Sequence, residues 1–89
     1  MLEVVELIEL KSEPGSPVHE EVLGTFELES DAVEVARTAR ATFRAGGRED
    51  YAWWVVRKPG ARLAQWIADS HSEREFVLDL TTGQLIDVE

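Results

Sequence analysis

The sequence predicts an α+β domain: a single antiparallel β-sheet with one helix packed on a face, in the order β-β-α-β-β-β-β. Three observations predict it. Six short segments rich in Val, Ile, Leu, Phe, Tyr and Trp are separated by clusters of Pro, Gly, Ser and Asp, the pattern of strands joined by turns. One segment, beginning at Ser30-Asp31, instead repeats its apolar residues at helical spacing. The 89 residues, 44% of them hydrophobic, suffice for one core and fall well short of two, so residues 1–89 are read as one domain.

Residues 2–10 open the chain. Val4, Val5, Leu7, Ile8 and Leu10 are apolar, and Glu3, Glu6 and Glu9 recur every third position, a spacing that also fits a short helix. The β-branched content and the turn cluster that follows decide for a strand. Lys11 to Pro17 holds two of the three prolines and reads as a loop. Residues 22–28 form the partner strand, with Val22, Gly24, Phe26 and Leu28 on one face and Thr25 and Glu27 on the other. These two strands make a hairpin with a long connection.

The helix follows. Asp31 with Glu34 has the form of a capping box, and Ser30 is an equally good cap. Ala32, Val35, Ala36, Ala39 and Phe43 make a narrow apolar stripe, thin enough for close approach to a sheet, with Phe43 as the anchor. Gly46-Gly47 ends it. Tyr51 to Lys58 is a strand apolar on both faces, and Pro59-Gly60 is a turn. Residues 61–68 fit either a helix or a doubly buried strand; the meander needs a strand there. Asp69 to Glu73 is a polar turn. Residues 75–80 alternate, with Phe76, Leu78 and Leu80 expected inward and Glu75 and Asp79 outward. Thr81 to Gln84 is a tight turn with Gly83 left-handed, before a last strand at 85–88.

Composition excludes several classes. The apolar content is too high for a disordered acidic tail. With no cysteine there is neither a disulfide framework nor a Cys-based zinc site. The longest unbroken apolar run is Ala52 to Val56, far from the ~18 residues of a membrane span. Met1 to Glu6 carries acid where a secretion signal needs basic residues. The expectation is therefore a cytoplasmic protein with no membrane contact and no cofactor.

The formal net charge is -9, unevenly spread. Residues 1–36 balance at -9, residues 37–62 at +5 and residues 63–89 at -5, so seven of nine cations lie in the middle third. Arg37, Arg40 and Arg44 share one helix face and are candidates for anion contact. The plainer reading, a solvated face that complements the helix dipole and neighbouring acids, is favoured. Nucleic acid is disfavoured as a partner, because a chain this acidic is repelled from a polyanion.

Tyr51, Trp53, Trp54 and Trp66 crowd into sixteen residues. Adjacent strand residues point to opposite faces, so Trp53 and Trp54 cannot both lie beneath the helix. One of them, with Trp66 expected beside it, stands on the open face or under another chain. Tryptophan is costly to expose and enriched at interfaces. A curled sheet or a folded-back loop would cover both sides without any partner. Among partners, a second copy is the most economical, since two-fold dimers are the commonest oligomers.

Catalytic signals are sparse. Asp69, His71 and Glu73 alternate and could hold a divalent metal, although three polar residues in a turn are ordinary. No nucleophile elbow, phosphate-cradling glycine loop or zinc-protease motif occurs. The leading expectation is a small non-enzymatic protein-interaction domain, homodimeric through a tryptophan-bearing sheet face. The alternatives are an acidic inhibitor, or polyanion mimic, that binds a basic nucleic-acid-binding protein, and a small metal-dependent enzyme around Asp69, His71 and Glu73.

Overall fold

A computed structural model describes residues 1–10, 18–47, 49–61, 63–71, 74–79 and 81–87. Strands β1 (Leu2–Glu9) and β2 (His19–Phe26) precede helix α1 (Glu29–Ala45). Strands β3 (Tyr51–Arg57), β4 (Trp66–Asp69), β5 (Glu75–Leu78) and β6 (Leu85–Asp87) follow. All six strands form one antiparallel sheet in the order β2-β1-β3-β4-β5-β6, with α1 packed against it. The helix is not long and apolar enough to cross a membrane.

The seven elements occur in the expected order, and the turn chemistry is what their residues require. Gly47, Gly60 and Gly83 all adopt positive φ, at the end of α1, after Pro59 and in the β5–β6 turn. Strand β4 is shorter than the apolar segment that contains it. The ladder nevertheless reaches Gln65, whose amide donates to the Val56 carbonyl at 2.7 Å.

The core lies between α1 and one face of the sheet. Ala32, Ala36 and Phe43 of the helix meet Val4, Ala52, Trp54, Val56, Trp66 and Ala68 of the strands. Small residues on the helix make room for two indoles beneath it, which is how such a narrow stripe fills a core. The Phe43 ring sits edge-on to Trp54 at 5.5 Å, the arrangement that the aromatic quadrupole favours.

Three local expectations are corrected. The helix starts at Glu29, with Leu28 at its N-cap and no side-chain cap bond, so neither Ser30 nor Asp31 caps it. In β2 a bulge falls where Val4 pairs Gly24 but Val5 pairs Val22. The extra residue, Leu23, shifts the strand's phase by one. Gly24 and Phe26 thus face the helix, while Val22 faces the opposite side and is half-exposed. Strand β5 is inverted relative to expectation: Glu75 lies buried on the helix side, and Phe76 and Leu78 point to the other. Leu80 lies outside the described residues.

The close helix–sheet contact gives a direct test. Ala36→Leu, which forces extra volume into the buried seam, should cost about 1–3 kcal/mol. Ala41→Leu, on the exposed side of the same helix, should change stability by less than about 0.5 kcal/mol in urea unfolding.

Candidate interaction surface

Residues paired across an antiparallel ladder point to the same side, so the register sets out the sheet face opposite the helix row by row. Val22, Val5, Val55, Ile67 and Phe76 cross five strands in one apolar row that ends at Asp87 on β6. The row above it runs Glu20, Leu7, Trp53, Asp69. Beyond that, Tyr51 stands opposite Glu9. On the other side Thr25, Glu3 and Arg57 align, with Leu78 and Leu85 paired at the far edge.

This face is partly covered by its own chain. The β3–β4 connection lays Leu63 and Ala64 over it, and Ala64 is buried. Between this connection, the strand residues Leu7, Val55 and Ile67, and the Leu78–Leu85 pair runs an apolar groove of about 400 Å³, with Arg57 at its edge. Val5 is fully buried although it points away from the helix. Elsewhere the face is open: Tyr51 and Val22 are each half-exposed.

The four aromatics expected at a contact surface divide between the faces. Trp54 and Trp66 are buried beneath the helix at 0% and 2% exposure, which removes both from any contact surface. The expectation that Trp66 accompanies the outward tryptophan is thereby corrected. Even spacing from Trp54 through the β3–β4 register places Trp66 on the helix side. The Trp54 indole N–H donates to the Glu6 carboxylate at 2.9 Å, which satisfies its only polar group. Tyr51 and Trp53 remain on the open face, stacked at 6.3 Å between ring centroids. The His71 ring lies 4.1 Å from that of Tyr51.

Charges on this face are mostly acidic. Glu3, Glu9, Glu20, Asp69 and Asp87 occupy its strand positions. Arg57 is held between Glu3 at 2.9 Å and Glu20 at 2.8 Å, and Arg74 pairs with Asp87 at 3.4 Å. The two carboxylates hold Arg57 in its charged form, the Glu3 hydrogen bond contributing most.

Arg37 and Arg40 are committed elsewhere. Both reach across from α1 to Glu75, Arg37 through two hydrogen bonds and Arg40 at 3.2 Å. Both serve the buried Glu75 carboxylate, with the Arg37 side chain still half-exposed and that of Arg40 largely covered; Arg44 also has an interaction partner. Asp69 turns one carboxylate oxygen to the His71 backbone N–H at 2.9 Å, and Glu73 lies outside the described residues. Among the described residues no three His, Asp or Glu side chains are grouped to hold a metal.

Sequence reasoning missed the Glu75 cluster, because a lone acid in an alternating strand carries no mark of burial. No protein-family model matches the chain, and neither the curated proteins nor the solved structures yield a similar one.

Glu75 makes acid sensitivity predictable. The paired Arg37 guanidinium holds its carboxyl below the usual range, against burial, which pushes it up; Arg40 and the Trp66 indole lower it further. A carboxyl depressed in the folded state adds stability above its unfolded value, and this is lost as the pH falls through the folded value. Glu75→Gln should therefore cost about 2 kcal/mol at about pH 7. Urea unfolding between about pH 5 and pH 2 should show a weaker acid-side decline in the variant than in the parent.

Proposed function

We propose that this chain is a protein-interaction domain without catalytic chemistry, which docks a basic, apolar segment of another protein on the open face of its sheet. The carrying observation is the apolar row Val22–Val5–Val55–Ile67–Phe76 together with the stacked pair of half-exposed Tyr51 and partly buried Trp53, set among five carboxylates. A wetted outer face would alternate toward polar residues; here one strand after another presents Val, Ile, Phe, Leu or Trp. The acidic border selects the sign of the partner.

Size sets the kind of contact. Six strands about 4.8 Å apart and roughly six residues long give a face of about 500 Å². That is below the ~800 Å² per partner of a standard stable interface and suits a transient one. A second copy, the economical choice by symmetry, would bring the acidic borders of two identical faces together, at an electrostatic cost that a basic partner avoids. An acidic polyanion mimic differs in one respect: its partner would need the charge and not the apolar row.

A synthetic octapeptide of alternating arginine and leucine is the probe. We expect micromolar binding, with amide NMR shifts at Leu7, Val55 and Ile67, weakened about tenfold by raising salt from ~50 to ~300 mM. Replacing its leucines by serine should abolish binding; undiminished binding would instead favour the polyanion mimic. Light scattering at ~100 µM should show a monomer, and a dimer there would make the second copy the occupant.

A further inference from the structure

Among the described residues that line the apolar groove of the open face, Arg57 alone has a polar side chain; the others are aliphatic or glycine. Its two carboxylate partners show where its head lies. Glu3 stands directly opposite it on β1, and Glu20 of β2 is paired with Leu7, two rows further along the same face. To bond both, at 2.9 and 2.8 Å, the side chain runs along the face past Val5 and brings its guanidinium toward Leu7, itself a wall of the groove. The complete burial of Val5 on this face agrees with that path. A guanidinium carries five N–H donors. Nε gives one to Glu3 and Nη2 gives one to Glu20. Five less two leaves three, both donors of Nη1 among them, with no acceptor among the described residues.

We propose that Arg57 is the polar anchor of the docking groove, donating from these three N–H groups to a main-chain carbonyl of the docked segment. The inference rests on the docking reading above and names the atom that the partner must offer. The Arg57 side chain is 23% exposed, so water serves its outer donors until a segment covers the groove. Removing that water without a new acceptor leaves a charged group short of hydrogen bonds, which carries the full desolvation penalty. The segment must therefore bring an oxygen of its own. Glu3 and Glu20 carry two negative charges against the one positive charge of Arg57, so a further carboxylate would meet net repulsion. A neutral oxygen avoids it, and every peptide unit supplies one. The anchor also orients the segment, with its carbonyl at the Leu7 end of the groove and its apolar side chains toward the Leu78–Leu85 pair.

The test uses the full chain and labelled octapeptides of alternating arginine and leucine. In one peptide the carbonyls of all the leucines are replaced by thiocarbonyls, and in another those of all the arginines. Sulfur keeps the peptide bond planar and its N–H in place but accepts hydrogen bonds poorly. Successive carbonyls of an extended segment point to opposite sides, so only one of the two sets faces Arg57. Fluorescence anisotropy should find one thiopeptide binding about fivefold to tenfold weaker than the other. The Arg57→Met, Glu3→Gln double variant, which removes the cation without stranding the Glu3 carboxylate, should bind both equally. In the native chain the Arg57 side-chain N–H signals in NMR should shift with the tighter peptide and stay near their free positions with the weaker one. Equal binding of the two thiopeptides to the native chain would overturn the anchor and leave the docking surface standing. A difference that persists in the double variant would assign the contact to another donor and overturn it too. An octapeptide with a free C-terminal acid should bind no tighter than its amide; tighter binding would make a carboxylate, and not a neutral carbonyl, the group that Arg57 takes. Failure of the unmodified octapeptide to bind would overturn the docking reading, and the anchor with it.

Discussion

The Trp54 indole at the middle of the sheet is the fixed point around which the other parts are arranged. It is completely buried, with the Phe43 edge against it and its N–H bonded to Glu6 on the adjacent strand. Burying a side chain of this size removes roughly 200 Å² from water, about 5 kcal/mol before entropy is counted. Because Trp54 must lie beneath the helix, its neighbours Trp53 and Val55 must lie on the other face. The open surface is thus a consequence of the core: the same strand that anchors the helix presents an aromatic and an aliphatic side chain outward.

Charge follows the same division. On the helix side, Glu6 is occupied by an indole, and Glu75 by Arg37 and Arg40, so these interior acids are matched. A buried carboxylate is tolerated only with such partners, and for Glu75 the two guanidinium groups supply them. On the opposite face the acids are in excess, and they border the apolar row instead of interrupting it. Part of the basic middle third of the sequence, which stands out in the charge profile, is thus spent on carboxylates within the chain. Arg37, Arg40 and Arg57 each neutralise carboxylates from other parts of the chain.

Much of the fold is legible because its determinants are local. Alanine spacing marks α1, Pro59-Gly60 and Thr81 to Gln84 mark turns, and the unbroken apolar run of β3 marks a strand apolar on both faces. Of the surface, Tyr51 and Trp53 can be named from the chain but not separated from Trp54 and Trp66. Alternation says which residues lie together and not which side receives the helix. Val22 escapes such a reading because a bulge at Leu23 changes the phase, and no residue type announces a bulge there. Glu75 escapes it because its partners lie 38 and 35 positions away, on a helix whose arginines look like an ordinary solvated face.

Element order, the apolar stripe of the helix and the two-sided character of β3 are written into the chain itself, since each depends on side-chain periodicity over a few residues. Which tryptophans are covered, and which acid is interior, emerge only when the strands and helix come together. The same holds for the β3–β4 connection that folds over part of the second face. Those outcomes depend on register between strands far apart in the chain, and on where a single helix comes to rest. Both are settled by packing over the whole core, at distances that local patterning does not reach.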